Sequence, residues 1–294
     1  MNNKLRGSLA LLIATVIWGS AFIAQSVGMD HIGPMTFQAV RCTLGAVFLV
    51  PVVFLFDKDK KQFLRNWTDP KLWRAGIICG TALFVAAGLQ QVGLVYTTAG
   101  KGGFITAMYI VLVPILGIFL GKKPPLTCWL SVALAVAGLY LLSCMGATVI
   151  NIGDILMLGG ALGFAVQITL IDRMAPELDG LRLNAIQALV CGGISALFMF
   201  LTEEPEIRNI HACWLPLGYA GIMSMGIAYS LQIVGQKHLD PTPASLIMSL
   251  ESVYAALFGW LLLKETMTFG EITGCVLVFA AVILSQIPAK KIHD

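Results

Sequence analysis

The sequence predicts an all-α polytopic membrane protein with ten transmembrane helices. Hydrophobic residues make up 57% of the 294 residues and charged residues only 12%, whereas soluble domains carry about 25% charged residues. The charges are also segregated, which leaves apolar runs of about 20 residues, the length that spans a ~30 Å hydrocarbon core as a helix. Because these runs are continuous, they favour helices over the alternating strands of a membrane barrel.

Ten segments have this length and character, and breaks such as Gly33-Pro34 and Pro124-Pro125 separate them. The first is longer than the apolar region of a secretory signal, so we interpret it as a permanent span. The predicted spans cover residues 8–28, 35–56, 74–95, 101–120, 126–145, 153–172, 183–202, 214–236, 243–263 and 270–288.

The distribution of positive charge predicts the orientation. The N-terminus, the even-numbered loops and the C-terminus together carry 15 of the 19 Lys and Arg residues, and the odd-numbered loops carry 3. Arg41 lies within a span and accounts for the remaining one. Positive residues accumulate on the cytoplasmic side of membrane proteins, so both termini are expected in the cytoplasm.

A weak internal repeat indicates two halves. Residues 120–122 fall on residues 263–265 at an offset of 143, and Gly19 meets Gly163 at an offset of 144. Five spans per half is an odd number, so the halves would enter the membrane in opposite orientations. Inverted repeats of this kind are typical of secondary transporters, whose binding sites lie near the midplane between the repeats.

Two charges lie within apolar runs: Arg41 in span 2 and Glu251 near the middle of span 9. A charge at the bilayer centre costs about 2.5–3.5 kcal/mol on insertion scales, so neither is expected to face lipid unpaired. Glu251 has a functional interpretation, as a group that binds protons or a substrate amine, and a structural one, as a carboxyl bonded to polar neighbours or paired with Arg41. For Arg41 the alternative to a structural pair is a side chain that reaches towards the headgroups.

Polar and aromatic side chains recur at helical spacing on several spans and predict a polar cavity lined with aromatics. Glutamines and tyrosines in membranes also join helices by hydrogen bonds, so a structural role stays open for each residue. The cavity is expected to suit a small amphipathic solute, because rings of like charge and selectivity-filter sequences are absent. The candidate substrate-binding residues are Trp18, Gln25, Gln91, Thr106, Tyr109, Gln167, Tyr229, Gln232 and Ser249.

Helix-distorting residues in span 4 predict a mobile segment. Gly100, Gly102 and Gly103 open this span, and Pro114 lies within it. We therefore expect a distorted helix and a candidate gate at this place.

Enzymatic and metal-binding patterns are not found in the sequence. There is no His-Glu-x-x-His, no Walker-type loop, no Cys-x-x-Cys and no membrane-embedded Ser-His-Asp grouping. The seven cysteines are interpreted as small apolar packing residues. The sequence therefore predicts a protein that is not an enzyme, needs no cofactor or metal and binds no nucleic acid.

The chain resembles the EamA-like ten-helix members of the drug/metabolite transporter superfamily. The motifs that carry the likeness are Trp18-Gly19-Ser20-Ala21-Phe22, Arg41, Gly103-Phe104-Ile105-Thr106 to Val113-Pro114, Leu250-Glu251-Ser252 and residues 263–268. They extend over about residues 8–288. Ser252 stands where the family often has proline, and Lys122 stands where it often has an acidic residue.

The resemblance implies a secondary carrier made of two EamA-like five-helix repeats, residues 7–145 and 152–288, in a bacterial-type inner (cell) membrane. It implies export of amino acids or related metabolites by alternating access, with protons as a candidate coupling ion. Glu251 is the candidate coupling residue. A passive channel and a non-transporting membrane scaffold are the alternatives.

Overall fold

The computed structural model describes residues 3–57, 60, 63–97, 99–143, 150–263 and 267–286. Apart from turns and connecting loops, these residues are helical throughout. The pair Lys264-Glu265, which was used in the repeat comparison, lies outside the described residues, and so does Cys144, one of the seven cysteines. The six cysteines that the structure does describe are buried thiols.

Ten helical segments follow one another along the chain, and two of them are divided into parts a and b. In the first half they are helix 1 Asn3–Met29, helix 2 Pro34–Phe56, helix 3 Pro70–Gly93, helix 4a Ala99–Thr106, helix 4b Tyr109–Phe119 and helix 5 Leu126–Ser143. In the second half they are helix 6 Ile152–Met174, helix 7 Gly180–Thr202, helix 8 Trp214–Gln236, helix 9a Pro241–Met248, helix 9b Leu250–Leu263 and helix 10 Phe269–Gln286. A short helix, Ile207–Ala212, precedes helix 8.

The starts of several helices are encoded by local sequence. Asp69 and Asp179 each accept a hydrogen bond from a backbone N–H of the first turn that they precede, in helices 3 and 7. Asn151 and Asp154 form a reciprocal capping box at the start of helix 6. Pro34 occupies the first position of helix 2, where its missing N–H costs nothing.

Eight of the described helices are long and apolar enough to cross a membrane. Helix 5 contributes a shorter apolar stretch, Leu126–Leu142, and helix 9 is interrupted at Ser249, between helices 9a and 9b. The chain is thus a multi-pass membrane protein with eight to ten apolar helices. Side chains that point away from the bundle are largely apolar, as lipid contact requires.

Two of the predicted spans, 101–120 and 243–263, are divided in the structure; a distortion was expected in the first and not in the second. Helix 4 is interrupted at Ala107-Met108 rather than at Pro114, which lies inside helix 4b. Here Met108 N–H bonds to the carbonyl of Ile105, three residues back, so the chain tightens locally. The expected distortion of span 4 is present, two turns before the proline.

The two halves pack closely together. Helix 2 packs along helix 7 and helix 5 along helix 10, while helix 3 packs against helices 6 and 7. Helix 1 packs against helices 8 and 9, and helix 6 against helices 3 and 4. Glycines permit the closest of these approaches, for example Gly138 against Gly274 between helices 5 and 10.

Polar contacts mark the two ends of the bundle. At the end that holds the N-terminus, Arg182 at the start of helix 7 forms an ion pair with Asp57, which follows helix 2. At the opposite end, the Glu203 carboxylate accepts hydrogen bonds from the first backbone N–H groups of helix 2, at Met35 and Thr36 (both 2.8 Å). The starts and ends of consecutive helices thus alternate between two faces, as in a chain that crosses the bilayer repeatedly.

Candidate functional site

A cavity lies between the two halves, in the middle of the bundle. The space that protein atoms leave open there amounts to about 490 Å³, including the part open to solvent. Helices 1, 2, 3, 4, 6, 8 and 9 contribute side chains to it. Its lining residues are Trp18, Phe22, Gln25, Arg41, Gln90, Thr106, Tyr109, Phe164, Ile168, Ser224, Tyr229, Gln232, Met248 and Glu251.

Arg41 supplies a positive charge to the cavity. Its side chain does not reach for the headgroups: the residue is 3% exposed. Arg41 donates to Gln25 Oε1 at 2.7 Å, and its second terminal nitrogen lies 3.3 Å from the Gln38 amide. Its Nε has no hydrogen-bond partner among the described residues. The acceptor at 2.7 Å is a neutral amide, so a carboxylate of a ligand would add a charged acceptor that this contact does not provide.

Glu251 supplies an acidic side chain to the same cavity. It lies one residue after the start of helix 9b and is 8% exposed. The hydroxyl of Tyr109, at the start of helix 4b, donates to Glu251 Oε1 at 3.1 Å. Its recorded partner is therefore this phenol rather than Arg41. The breaks in helices 4 and 9 place both side chains beside the cavity.

Aromatic rings and amides form much of the remaining wall. The rings of Trp18 and Tyr229 meet edge to face with centroids 5.1 Å apart, a favourable arrangement for an aromatic pair. The indole Nε1 of Trp18 is buried without a hydrogen-bond partner among the described residues. Gln90 donates to Thr106 Oγ1 at 3.3 Å, which links helices 3 and 4. Rings and oriented amides thus surround the two charges.

Three of the residues predicted to bind substrate do not line the cavity. The amide of Gln91 donates to Met29 Sδ at 3.2 Å, and its neighbour Gln90 faces the cavity instead. Gln167 accepts a hydrogen bond from Gln232 at 3.1 Å and so contacts the wall from behind. The hydroxyl of Ser249 bonds within its own helix to the carbonyl of Leu246, at 2.8 Å.

The other predicted residues all line the cavity, and the structure adds six that the prediction did not include. The eight predicted residues that line it are Trp18, Gln25, Arg41, Thr106, Tyr109, Tyr229, Gln232 and Glu251. Those added are Phe22, Gln90, Phe164, Ile168, Ser224 and Met248. Helical spacing from Trp18 would have found Phe22, since the two are four residues apart on one face. Apolar residues such as Ile168 and Met248 carry no signal that separates a cavity wall from ordinary packing.

This arrangement favours a particular class of ligand. Among the described lining residues, Arg41 and Glu251 carry the formal charges, and they have opposite signs. A solute that presents a carboxylate and an ammonium group could neutralise both, while aromatic faces offer cation–π contacts to the ammonium. The cavity offers no cluster of nucleophile and base from which covalent chemistry could start.

Comparison with known proteins identifies the family of the whole chain. The family model described as the EamA-like transporter family matches residues 5–144 and again residues 151–286. An "Uncharacterized transporter" of Archaeoglobus fulgidus is 33% identical over 287 residues, which cover 96% of this chain and 86% of that protein. The "Threonine/homoserine exporter RhtA" of Escherichia coli strain K12 is 26% identical, with 96% of this chain and 91% of that protein covered.

A solved crystal structure, described only as that of a protein, has the same fold. Its TM-score is 0.80 over 95% of this chain and 96% of that chain, at 18% sequence identity. At this identity the likeness concerns the fold alone. Two family matches that together span nearly the whole chain, and a relative at 33% identity, decide the classification. We conclude that this multi-pass membrane protein is a transporter, not an enzyme, and belongs to the EamA-like transporter family.

Proposed function

We propose that the protein is a secondary carrier that exports a small amino-acid-type solute across the cell (inner) membrane by alternating access. In this proposal its ten helices form two inverted five-helix repeats, residues 7–145 and 152–288, with both termini in the cytoplasm. The paired family matches at 5–144 and 151–286 support the repeat, and the distribution of Lys and Arg supports the orientation. The name of the RhtA relative, a threonine/homoserine exporter, supports both solute class and direction.

The observation that carries the proposal is the presence of Arg41 and Glu251 in one cavity. Burying two opposite charges is costly unless each serves a partner. A zwitterionic α-amino acid provides both partners, with its carboxylate at Arg41 and its ammonium group at Glu251. A simple amine or a simple carboxylic acid would satisfy one charge and leave the other without a counter-ion.

Glu251 is the proposed coupling residue. The carboxyl group can bind either the substrate ammonium or a proton, so substrate and proton would compete for one site. Tyr109 donates to this carboxylate, and Tyr229 and Arg41 line the same cavity. Exchange of an outgoing solute for an incoming proton would follow from this competition.

The divided helices provide a route to alternating access. Helix 4a packs against helix 9b, and helix 4b packs against helix 9a. Helices 4a and 9b therefore form one pair and helices 4b and 9a form another, and the two pairs lie on opposite sides of the helix breaks. Tyr109 and Glu251 lie just after these breaks. Movement of one pair relative to the other would open the cavity to one side of the membrane at a time.

Uptake into proteoliposomes of purified protein tests the proposal. Labelled α-amino acids are offered beside amines that lack the carboxylate and acids that lack the amine, in wild type and in Arg41→Met. We expect saturable uptake of an amino acid. In Arg41→Met, loss of a charge-assisted hydrogen bond worth about 1.5–3 kcal/mol raises KM roughly 10- to 150-fold.

Lys122→Met is the matched control, because Lys122 is a half-exposed lysine at the end of helix 4, away from the cavity; its KM should equal that of wild type. Wild-type protein that transports the amine or the acid as well as the amino acid would contradict the zwitterion site. Uptake that never saturates would indicate a channel. No uptake by folded, inserted protein, for any solute offered, would favour the scaffold alternative.

A further inference from the structure

Helix 8 contains a segment with unusual backbone geometry. Residues Tyr219–Ala228, ten in all, form a π-helix, whose hydrogen bonds join residues five apart rather than four. At its end the N–H of Tyr229 donates to the carbonyl of Ser224. Both residues line the cavity. Segments of this kind are rare, and most are single turns at functional sites.

Close glycine contacts show which residues of the two halves correspond. Gly7 of helix 1 packs on helix 8 so tightly that an added Cβ atom would lie 2.9 Å from the carbonyl oxygen of Gly235. In the other half, Gly153 of helix 6 packs on helix 3 in the same way, 2.8 Å from the carbonyl oxygen of Gly93. Helix 8 therefore corresponds to helix 3, and Gly235 to Gly93.

A second pair of contacts fixes the correspondence further up these helices. Gly221 of helix 8 packs against helix 2: a Cβ atom added to Gly221 would lie 3.0 Å from the carbonyl oxygen of Arg41. Gly80 of helix 3 packs against helix 7 in the same way: a Cβ atom added to Gly80 would lie 2.8 Å from the carbonyl oxygen of Gln187. Arg41 and Gln187 each stand eight positions into their helix. Gly221 therefore corresponds to Gly80.

Between these two fixed points, helix 8 is one residue longer than helix 3. Gly80 and Gly93 are 13 positions apart, whereas Gly221 and Gly235 are 14 positions apart. Helix 3 is a continuous α-helix over this stretch, and helix 8 accommodates its additional residue in the π segment Tyr219–Ala228. The π segment thus has the character of a single-residue insertion in the second half.

Most of the cavity wall obeys the correspondence between the halves. Trp18 and Phe164, for example, each follow the contact glycine of their helix by 11 positions, so Gly19 corresponds to Ala165 and the sequence-based alignment of Gly19 with Gly163 is wrong. The corresponding lining pairs are Trp18 and Phe164, Phe22 and Ile168, Gln90 and Gln232, Thr106 and Met248, and Tyr109 and Glu251. The four lining residues whose counterparts do not line the cavity are Gln25, Arg41, Ser224 and Tyr229.

The insertion accounts for one of these four, Ser224. Counted from the contact glycines, Ser224 corresponds to Leu83 and Tyr229 to Ala87, both buried in the apolar core. In an uninterrupted α-helix, at about 100° per residue, Ser224 would lie about 140° from Tyr229, and Met225 only about 40° from it. In the π segment it is Ser224 that shares the cavity with Tyr229, while Met225 is 1% exposed and packs against Gly45 of helix 2.

Asn184 of helix 7 holds this register. A change from five-residue to four-residue hydrogen bonding leaves a carbonyl near the junction without its helical donor. The side-chain amide nitrogen of Asn184 lies 2.9 Å from the carbonyl oxygen of Met225 and 3.1 Å from that of Gly226. Gln187 donates to Asn184 Oδ1 at 2.8 Å, which orients the amide. Asn184 is fully buried and does not line the cavity.

We infer that the one-residue insertion in helix 8, held in place by Asn184, places Ser224 instead of Met225 beside Tyr229 in the cavity wall and thereby selects the solute. This inference rests on the proposed function, since it assigns a role within the same transport site. Asn184 is a positioning residue: it acts through the backbone of helix 8. The insertion gives the cavity the hydroxyl of Ser224 beside the Tyr229 phenol, where the thioether of Met225 would otherwise lie, and the other half offers leucine at the corresponding position.

Thiol labelling tests the register without any substrate. Single variants Ser224→Cys and Met225→Cys, in otherwise wild-type protein in membranes, are treated with a small water-soluble thiosulfonate. We expect Cys at 224 to react and Cys at 225 to react no faster than the buried native thiols. We expect two changes to reverse the relative labelling rates, so that Cys at 225 reacts faster than Cys at 224. One is the deletion of Met223, which restores the spacing of helix 3, and the other is Asn184→Leu. Ser195→Ala is the control, because it removes a buried hydrogen bond within helix 7 that does not reach helix 8.

The same variants are then compared in transport. Asn184→Leu should change the ratio of KM values for amino acids with and without a side-chain hydroxyl, and Ser195→Ala should leave it unchanged. If Asn184→Leu does not fold, Asn184→Ala replaces it. The inference would be overturned, even where transport is normal, if Cys at 225 reacts faster than Cys at 224 in protein that carries neither the deletion nor an Asn184 substitution. It would also be overturned if Cys at 224 still reacts faster than Cys at 225 in both the deletion variant and the Asn184 variant. Absence of transport with the expected labelling would instead contradict the proposed function alone.

Discussion

The ion pair between Lys101 and Asp154 joins the two halves at the bundle end opposite the N-terminus, and its removal should be costly. Lys101 Nζ lies 2.6 Å from Asp154 Oδ2, and the two side chains are 15% and 7% exposed. Asp154 also accepts hydrogen bonds from Thr97 Oγ1 at 3.1 Å and from the Asn151 N–H at 2.9 Å. Asp154→Ala therefore removes three hydrogen bonds, one of them between full charges.

Removing one member of a buried ion pair costs about 3–5 kcal/mol. Because the lysine retains some exposure, we expect the lower end of this range, about 3 kcal/mol, for Asp154→Ala, and a similar loss for Lys101→Met. The double variant buries neither charge and should lose less than the sum of the single variants, with a coupling free energy of about 2 kcal/mol. The free energies of unfolding are measured by titration of detergent-solubilised protein with SDS, followed by tryptophan fluorescence. Additive losses, with a coupling below about 0.5 kcal/mol, would refute this reasoning.

Three further predictions follow from other parts of the bundle. Glu251→Gln should reach the membrane but lose the pH dependence of transport, measured as uptake with and without a pH gradient; retained dependence would exclude Glu251 as the coupling group. Gly153→Val should destabilise by about 1–3 kcal/mol, because an added Cβ atom lies 2.8 Å from backbone and side-chain atoms; Gly193→Val, in open space, should change the SDS titration midpoint little. Lys122→Ala should lower the free energy of unfolding by less than about 1 kcal/mol, since the side chains of the Lys122–Asp172 pair are 45% and 20% exposed. A larger loss in the same titration would contradict the reasoning that this exposed ion pair contributes less than the more buried Lys101–Asp154 pair.

The helical positions could be predicted from the sequence because lipid imposes a minimum apolar length and excludes charge. The same constraint explains why helix 5 and helix 9 were recognisable as apolar segments although one is short and the other divided. The break at Ser249 could not be predicted, since neither proline nor glycine occupies it. Both parts of helix 9 pack against helix 4, and contacts between helices distant in sequence cannot be read from local composition.

The cavity residues could be predicted where a helix is regular and its polar stripe is broad. Trp18 and Gln25 share one face of helix 1 at a spacing of seven residues, and both line the cavity. Gln90 and Gln91 differ by about 100° around the helix, so the choice between them depends on the packing of helix 3, which the sequence does not give. Ser224 could not be predicted from helical spacing, because an uninterrupted α-helix would place Met225, and not Ser224, on the face of Tyr229. A one-residue insertion is invisible without the contacts that reveal it.

Counterflow tests the central claim, that this chain is a carrier with a single zwitterion site, most directly. Proteoliposomes are loaded with an excess of an unlabelled amino acid that the protein transports, and entry of the labelled form is followed over time. A carrier with one alternating site predicts transient accumulation of label above the outside concentration, which Arg41→Met reduces and Lys122→Met leaves unchanged. Label that only equilibrates, with no overshoot at any internal concentration, would contradict alternating access through this cavity and would favour a passive channel.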